Sequence, residues 1–525
     1  MTGGIVPRDR ARAAGRYPHL LISQKSREKR SKAASAVCGR PGEEEEGMKF
    51  RTFLGAAAVL ALTGASAPAA DKDAADTAVE AAKKYAGTTI SIVWEAGLQS
   101  LDPLNYSGPQ WEKLTGIKVK VVEVPTDQMF TKIMQDFKSG AGAYDALNVI
   151  PSWMPDLARA GALEPLDKYV DKFGYRDELQ DIAAAYRDNQ MQYDGKIFGF
   201  PDDGDVMLLY YRKDIFEDPK VKEEFKAKFS YELAPPKNWK QFDEIGQFIT
   251  DKMAPKVYGA GFFRTAPYPQ YMFQERFRME GGKFFNADTM KATVNGEVGL
   301  KVFKEMLAEN KFMPPGVEQW NFVDNLAAFL QGTTAMTISW PPYGRWAAGY
   351  GSGEEALKWV PKSQVAGKVG YALTPLGRPE LGVGFDLSVS ATSKNKEAAY
   401  LFIQWLNSKK TSLERVQLPY TLRDPFRLSH YASEKYRGLW PDAPAYLDTI
   451  KTSGEKGLLD LSLLQQDKYD EAMTKAISSL WAGEDPKAIL DRMAQQFDAI
   501  TDKVGIDNQK AVYKVWAAKP GAYPQ

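Results

Sequence analysis

From Thr89 onward the chain alternates short apolar runs with longer segments of helical periodicity. Thr89-Ile-Ser-Ile-Val-Trp94 reads as a strand. Asn105 to Leu114 reads as a helix ended by Gly116. Ile117 to Val124 is a second strand, with Val119, Val121 and Val122 supplying β-branched bulk. Thr126 or Asp127 is placed to cap the next helix. Met129, Ile133, Met134 and Phe137 form its apolar stripe, and Gly140 stops it. Asp145 to Ile150 is a third strand. This β-α-β-α-β series predicts a parallel, right-handed α/β sheet.

Further on, Asp194-Gly195-Lys196 is a tight turn before a short strand, Ile197 to Phe200. Pro201 to Asp205 reads as an acidic connector leading into an apolar strand, Val206 to Tyr211. Much of Lys213 to Trp346 is helical, including Trp239–Ile249 and Gly299–Glu309. Gly332 to Trp340 is a strand that ends in a rigid Trp-Pro-Pro turn, and Val383 to Ser390 is a returning strand. Lys396 to Asn407 is an amphipathic helix, and the chain after Thr411 is mainly helical. No solenoid-length repeat is present.

The first seventy residues follow another pattern. Met48-Lys-Phe-Arg51 is basic, Thr52 to Gly64 is apolar, and small residues follow to Ala70. That is the layout of a secretory signal peptide over 48–69, cut after Ala69. The apolar run is shorter than the roughly 20 residues a membrane-spanning helix needs. No Cys follows it to carry a lipid anchor. Residues 1–47 are basic, poor in apolar residues and end in four glutamates, which predicts a disordered tail and a start at Met48. Residues 70–87 are expected as a linker with helical character.

Composition then removes whole classes of chemistry. The sole Cys is Cys38, and the two histidines are His19 and His430. After the tail there is no thiol for a disulfide, a thiolate nucleophile or a Cys-based metal site. One His leaves little for a catalytic triad. No phosphate loop, nucleophile elbow or EF-hand spacing occurs, so no cofactor or metal is expected. The folded part is mildly acidic, which argues against a nucleic-acid partner.

What remains is a chemistry of recognition. Asp202, Asp203 and Asp205 crowd Gly204 between two strands, where carboxylates can accept hydrogen bonds from hydroxyl groups. The chain has 12 Trp, and an indole can cover the apolar face of a pyranose while polar groups satisfy its edge. Four stand where chain position would expose them: Trp94 at the end of the first strand, Trp153 past the third, Trp320 after a Pro-Pro-Gly loop, and Trp340 before Pro341. Trp405, within a helix, reads as packing. Glu95, Arg345, Asp386 and Arg423 complete the candidate substrate contacts.

Four stretches resemble the extracellular solute-binding protein family 1, the group that contains the maltose-binding protein. They are Asp145 to Leu163, Tyr193 to Phe216, Phe329 to Ile338, and Gly384 to Ala399. The resemblance covers roughly residues 88–500. It implies an α/β, two-lobed periplasmic binding protein fold of type II, with a ligand cleft between lobes joined by crossing strands. One lobe would comprise 88–203 with 376–415, the other 204–375 with 416–525. Asp205 would be an acidic ligand contact in the crossing, Ser152 and Trp153 a contact loop, and Trp340 and Tyr343 an aromatic loop. Here Ser-Trp-Pro-Pro-Tyr replaces the Asn-Gly-Pro-Trp type of turn found in the maltose-binding pattern.

The implied activity is capture of a sugar, oligosaccharide or polyol in the periplasm by hinge closure, as a monomer. The solute would then pass to ABC permease subunits with their ATPase. Two alternatives stay open: a secreted glycoside hydrolase using Asp202, Asp203 or Asp205, and a binding protein for a non-sugar such as a polyamine.

Overall fold

A computed structural model describes residues 73–265 and 268–524. The expected tail (1–47), the expected signal peptide (48–69) and its cleavage near Ala69 lie outside the described residues.

Eleven strands are described: β1 (Thr89–Glu95), β2 (Lys118–Val124), β3 (Ala146–Val149), β4 (Gln192–Tyr193), β5 (Lys196–Ile197), β6 (Gly199–Asp203), β7 (Leu208–Arg212), β8 (Tyr258–Gly261), β9 (Thr334–Ser339), β10 (Val369–Ala372) and β11 (Phe385–Val389). The first sheet runs β2-β1-β3-β11-β6, the second β10-β7-β9-β8, and β4-β5 is a hairpin. β1 pairs in parallel with β2 and with β3, as the alternating pattern predicts. The helices that return the chain, Gly108–Thr115 and Thr126–Ser139, end at Gly116 and Gly140 in the left-handed conformation that glycine adopts without steric cost. The rest of the sheet departs from the expected parallel order, because β11 is antiparallel to both β3 and β6. Strand β11 arrives from the second sheet and so enters from the opposite end.

Each sheet is the centre of one lobe, and the chain passes between them after β6 and again after β10. The expected acidic connector is shorter than its sequence suggests. Pro201, Asp202 and Asp203 belong to β6, where Asp203 pairs with Phe385 and Pro201 with Asp386. Only residues 204–207 join β6 to β7.

The segment read as a linker is a packed element. Helix Ala74–Ala82 buries Ala74, Ala75, Ala78 and Ala82 and lies against helix Lys396–Asn407. Gln404 Nε2 donates to the Ala74 carbonyl, and Lys84 and Tyr85 both donate to Glu397 at 2.7 Å. The small alanine side chains let the two helices approach closely, which polar composition alone did not reveal.

Candidate functional site

Short backbone links bring three carboxylates together where the lobes join. Asp203 ends β6, Asp205 lies in the connector, and Asp424 lies in the segment after helix Lys409–Val416. One oxygen from each lies within 4.8 Å of the others, and all three residues are buried. Asp203 Oδ1 accepts from the Asp424 N–H at 2.7 Å, and Asp203 Oδ2 accepts from Gln99 Nε2 at 3.2 Å. Asp205 Oδ2 accepts from the Gly384 N–H at 3.0 Å. Burial pushes Asp203 up to about 6, with Arg423 offsetting part of the rise. Burial raises Asp205 and Asp424 well above the ordinary carboxylate range; the nearby Asp203 and Asp424 push Asp205 further, whereas Arg345 pulls Asp424 partly back against Asp203. Such a donor set could hold a cation. Positive charge is already supplied by Arg345, 3.0 Å from Asp424, and by Arg423, 3.6 Å from Asp203.

Behind the carboxylates runs a buried chain of alternating charge. Arg415 reaches Asp102 at 2.5 Å and Asp202 at 2.7 Å. Arg423 reaches Asp202 at 2.7 Å and donates to the Gln99 carbonyl at 2.9 Å. Arg345 donates to the carbonyls of Val416 and Thr421 and to Asp424. Asp202 is thus fixed between two guanidinium groups, which leaves it poorly placed to act as a free acid or base.

Glu95 sits at the end of β1 on the first lobe, and its half-buried carboxylate is met from two directions. Thr126 Oγ1 donates to Oε1, and so does Tyr268 OH at 3.0 Å, from the loop after β8 on the second lobe. The sequence places Thr126 or Asp127 as the cap of helix Thr126–Ser139. Instead Pro125 occupies the cap position and the Thr126 hydroxyl turns to Glu95. Burial raises the Glu95 carboxyl, and the hydrogen bonds from Thr126 and Tyr268 pull it partly back. Tyr268 has φ +74°, a left-handed backbone rarely adopted by a bulky residue and costing about 1–3 kcal/mol.

The tryptophans expected to be exposed are corrected by their packing. Trp94 is 0% exposed, because Arg423 covers its ring with the guanidinium carbon 5.0 Å from the centroid. Trp340 is 8% exposed. Phe263 stacks on it at 5.1 Å, Tyr268 and Tyr271 meet it nearly at right angles, and its Nε1 donates to the Gly382 carbonyl at 2.9 Å. Trp153 is buried against Phe130, and the Ser152 carbonyl accepts from Ser462 Oγ at 3.0 Å. Trp320 stays half-buried, its ring close to Gly261. Tyr343 is fully buried and donates to the Phe322 carbonyl, a packing role. Asp386 is also fully buried, both carboxylate oxygens lack a hydrogen-bond partner, and burial pushes it up to about 8.

Asp203, Asp205 and Asp424 thus gather with Arg423 and Arg345, and Glu95 lies where a strand end meets the opposite lobe. Sequence reading missed Asp424, Gln99, Arg415, Thr126 and Tyr268. Asp424 adjoins Arg423 in the chain, so the Arg423-Asp424 pair was the available signal; the others carry none without the fold.

A model of the bacterial extracellular solute-binding protein family matches residues 95–412. The chain belongs to that family. A relative of this solute-binding protein is a probable amino-acid ABC transporter periplasmic-binding protein of Sinorhizobium fredii. It is 26% identical over 365 residues, which cover 69% of this chain and 78% of the relative. The fold matches an ABC transporter solute-binding protein of Agrobacterium radiobacter K84 in complex with ribitol. That match has a TM-score of 0.65 and 23% identity, and covers 79% of this chain and 99% of the other. A solute-binding protein of Agrobacterium vitis S4 with bound D-mannitol matches with a TM-score of 0.64 and 23% identity, over 80% and 99% of the two chains. Membership of a solute-binding family sets aside the hydrolase reading of Asp202, Asp203 and Asp205.

Proposed function

We infer that this protein is the periplasmic solute-binding component of an ABC importer, taking a sugar or polyol between its lobes and delivering it to the membrane permease. The observation that carries this reading is the acceptor-rich group of Asp203, Asp205, Asp424 and Glu95 at the lobe junction, flanked by Arg423 and Arg345. Carboxylates grouped in this way are met well by vicinal hydroxyls, each of which can donate to one acid and accept from a guanidinium. The two arginines oppose a polyamine. Ribitol and mannitol in the similar Agrobacterium proteins support a polyol, whereas the name of the Sinorhizobium relative makes amino acids the alternative to test.

Ligand that touches both lobes favours the closed arrangement by its differential affinity for it. Export through a signal peptide over 48–69 agrees with the extracellular character of the family. A thermal-shift panel of alditols, aldoses, maltose, amino acids and putrescine tests the reading. A true ligand at 100 times its Kd stabilises by about 2.7 kcal/mol. A shift with amino acids alone, or product release from oligosaccharides, would overturn it.

A further inference from the structure

We propose that Tyr268 is a positioning residue that ties lobe closure to the placement of Glu95, and that this contact holds part of the unliganded protein closed. The proposal rests on the hinge-closure reading, though its test needs no ligand.

Three observations carry it. First, Glu95 belongs to the first lobe, at the end of β1, while Tyr268 belongs to the second, between β8 and helix Gln270–Met279. Their hydrogen bond of 3.0 Å therefore crosses the junction and exists only when the lobes meet. Second, Tyr268 reaches Glu95 from a strained backbone, φ +74°, in a loop whose other aromatic residues are firmly packed. The ring is held by Tyr271, stacked at 5.9 Å, and by the edge contact with Trp340 at 6.1 Å. A residue kept in that conformation by its neighbours is presented rather than accommodated. Third, Thr126 and Tyr268 both donate to the same Glu95 oxygen, Oε1. The carboxylate is thereby turned by one donor from each lobe, and Oε2 is left for a solute hydroxyl.

In the open form Glu95 keeps Thr126, its own-lobe partner, and loses Tyr268. Closure thus adds a charge-assisted hydrogen bond and fixes the rotation of the carboxylate in one step. A solute that needs Glu95 as an acceptor meets it pre-aligned only in the closed form, which reduces the ordering cost of binding.

The test uses the full chain with Cys38→Ser and spin labels at Lys138→Cys and Lys220→Cys, exposed positions on the two lobes. Pulsed dipolar spectroscopy on ligand-free protein reads the closed fraction as a short-distance population. Tyr268→Phe keeps the ring stack and removes only the hydroxyl. It should reduce the ratio of closed to open about tenfold, the scale of a hydrogen bond to a charged group. Glu95→Ala should reduce it similarly, and the double variant should add little to either single change. Independent, additive effects would overturn the proposal, as would an unchanged distribution in Tyr268→Phe or a wild type with no short-distance population. Added ribitol or mannitol that leaves the wild-type distances unmoved would count against the polyol reading alone.

Discussion

Arg423 lies across the face of Trp94, its guanidinium carbon 5.0 Å from the ring centroid, while its Nε stands 2.7 Å from Asp202. One side chain therefore pairs with a buried carboxylate and covers one face of a buried indole. Removing it leaves Asp202 with Arg415 alone and uncovers Trp94. Arg423→Met should lower unfolding stability by about 3–5 kcal/mol, read from the urea midpoint. Arg423→Lys should recover only part of the loss, because an ammonium cannot reach Asp202 and lie flat on an indole together.

Trp340 is the second place where packing decides the outcome. Its ring is stacked by Phe263 and its Nε1 is bonded to Gly382. Trp340→Ala should cost about 3–5 kcal/mol in the ligand-free protein, as large-to-small core changes do. A ligand-free melt equal to wild type would instead mark the ring as a solute platform.

Asp386 gives a pH signature. Its carboxyl is raised to about 8 by burial, far above the value of an unfolded chain. Between about pH 4 and 8 the folded state holds a proton there that the unfolded state has released. The contribution of this group to stability is therefore fully present below the unfolded pKa and is lost as pH rises toward 8. Asp386→Asn cannot ionise. Relative to wild type it should gain stability as pH rises from 4 to 8, where the protonation of the buried carboxyl would otherwise have to be maintained against the solvent. Urea titrations at the two pH values measure this directly.

Helix Ala74–Ala82 provides a test at the other end of the described chain. Its four buried alanine methyls, each worth about 0.8 kcal/mol, lie on a helix that packs against helix Lys396–Asn407. A chain beginning at Thr88 should lose about 3 kcal/mol and show faster amide exchange across residues 396–407.

The sequence made the strands of the first lobe legible because β-branched runs, left-handed glycine stops and helical stripes recur there in regular order. Helix Lys396–Asn407 falls on the boundaries its periodicity predicts. The antiparallel return of β11 was not visible, since strand direction depends on where the preceding chain has been. Among the candidate site residues, Asp203 and Asp205 were readable as an acidic cluster between two apolar strands. Tyr268 was not: a tyrosine in a Pro-rich loop carries no sign of its left-handed backbone or of a partner 173 positions away. Exposure of Trp94 and Trp340 was misjudged for one reason: strand-end geometry ignores side chains that arrive from distant segments, here Arg423 and Phe263.

Gly204 joins the connector to the segment that carries Asp424. Its N–H donates to the Asp424 carbonyl at 3.1 Å, and a Cβ there would meet the Pro425 carbonyl oxygen at 2.2 Å. Two main chains thus touch with no side-chain cushion between them. Even a methyl group would force these two backbones apart at the point where the chain leaves the first sheet for the second.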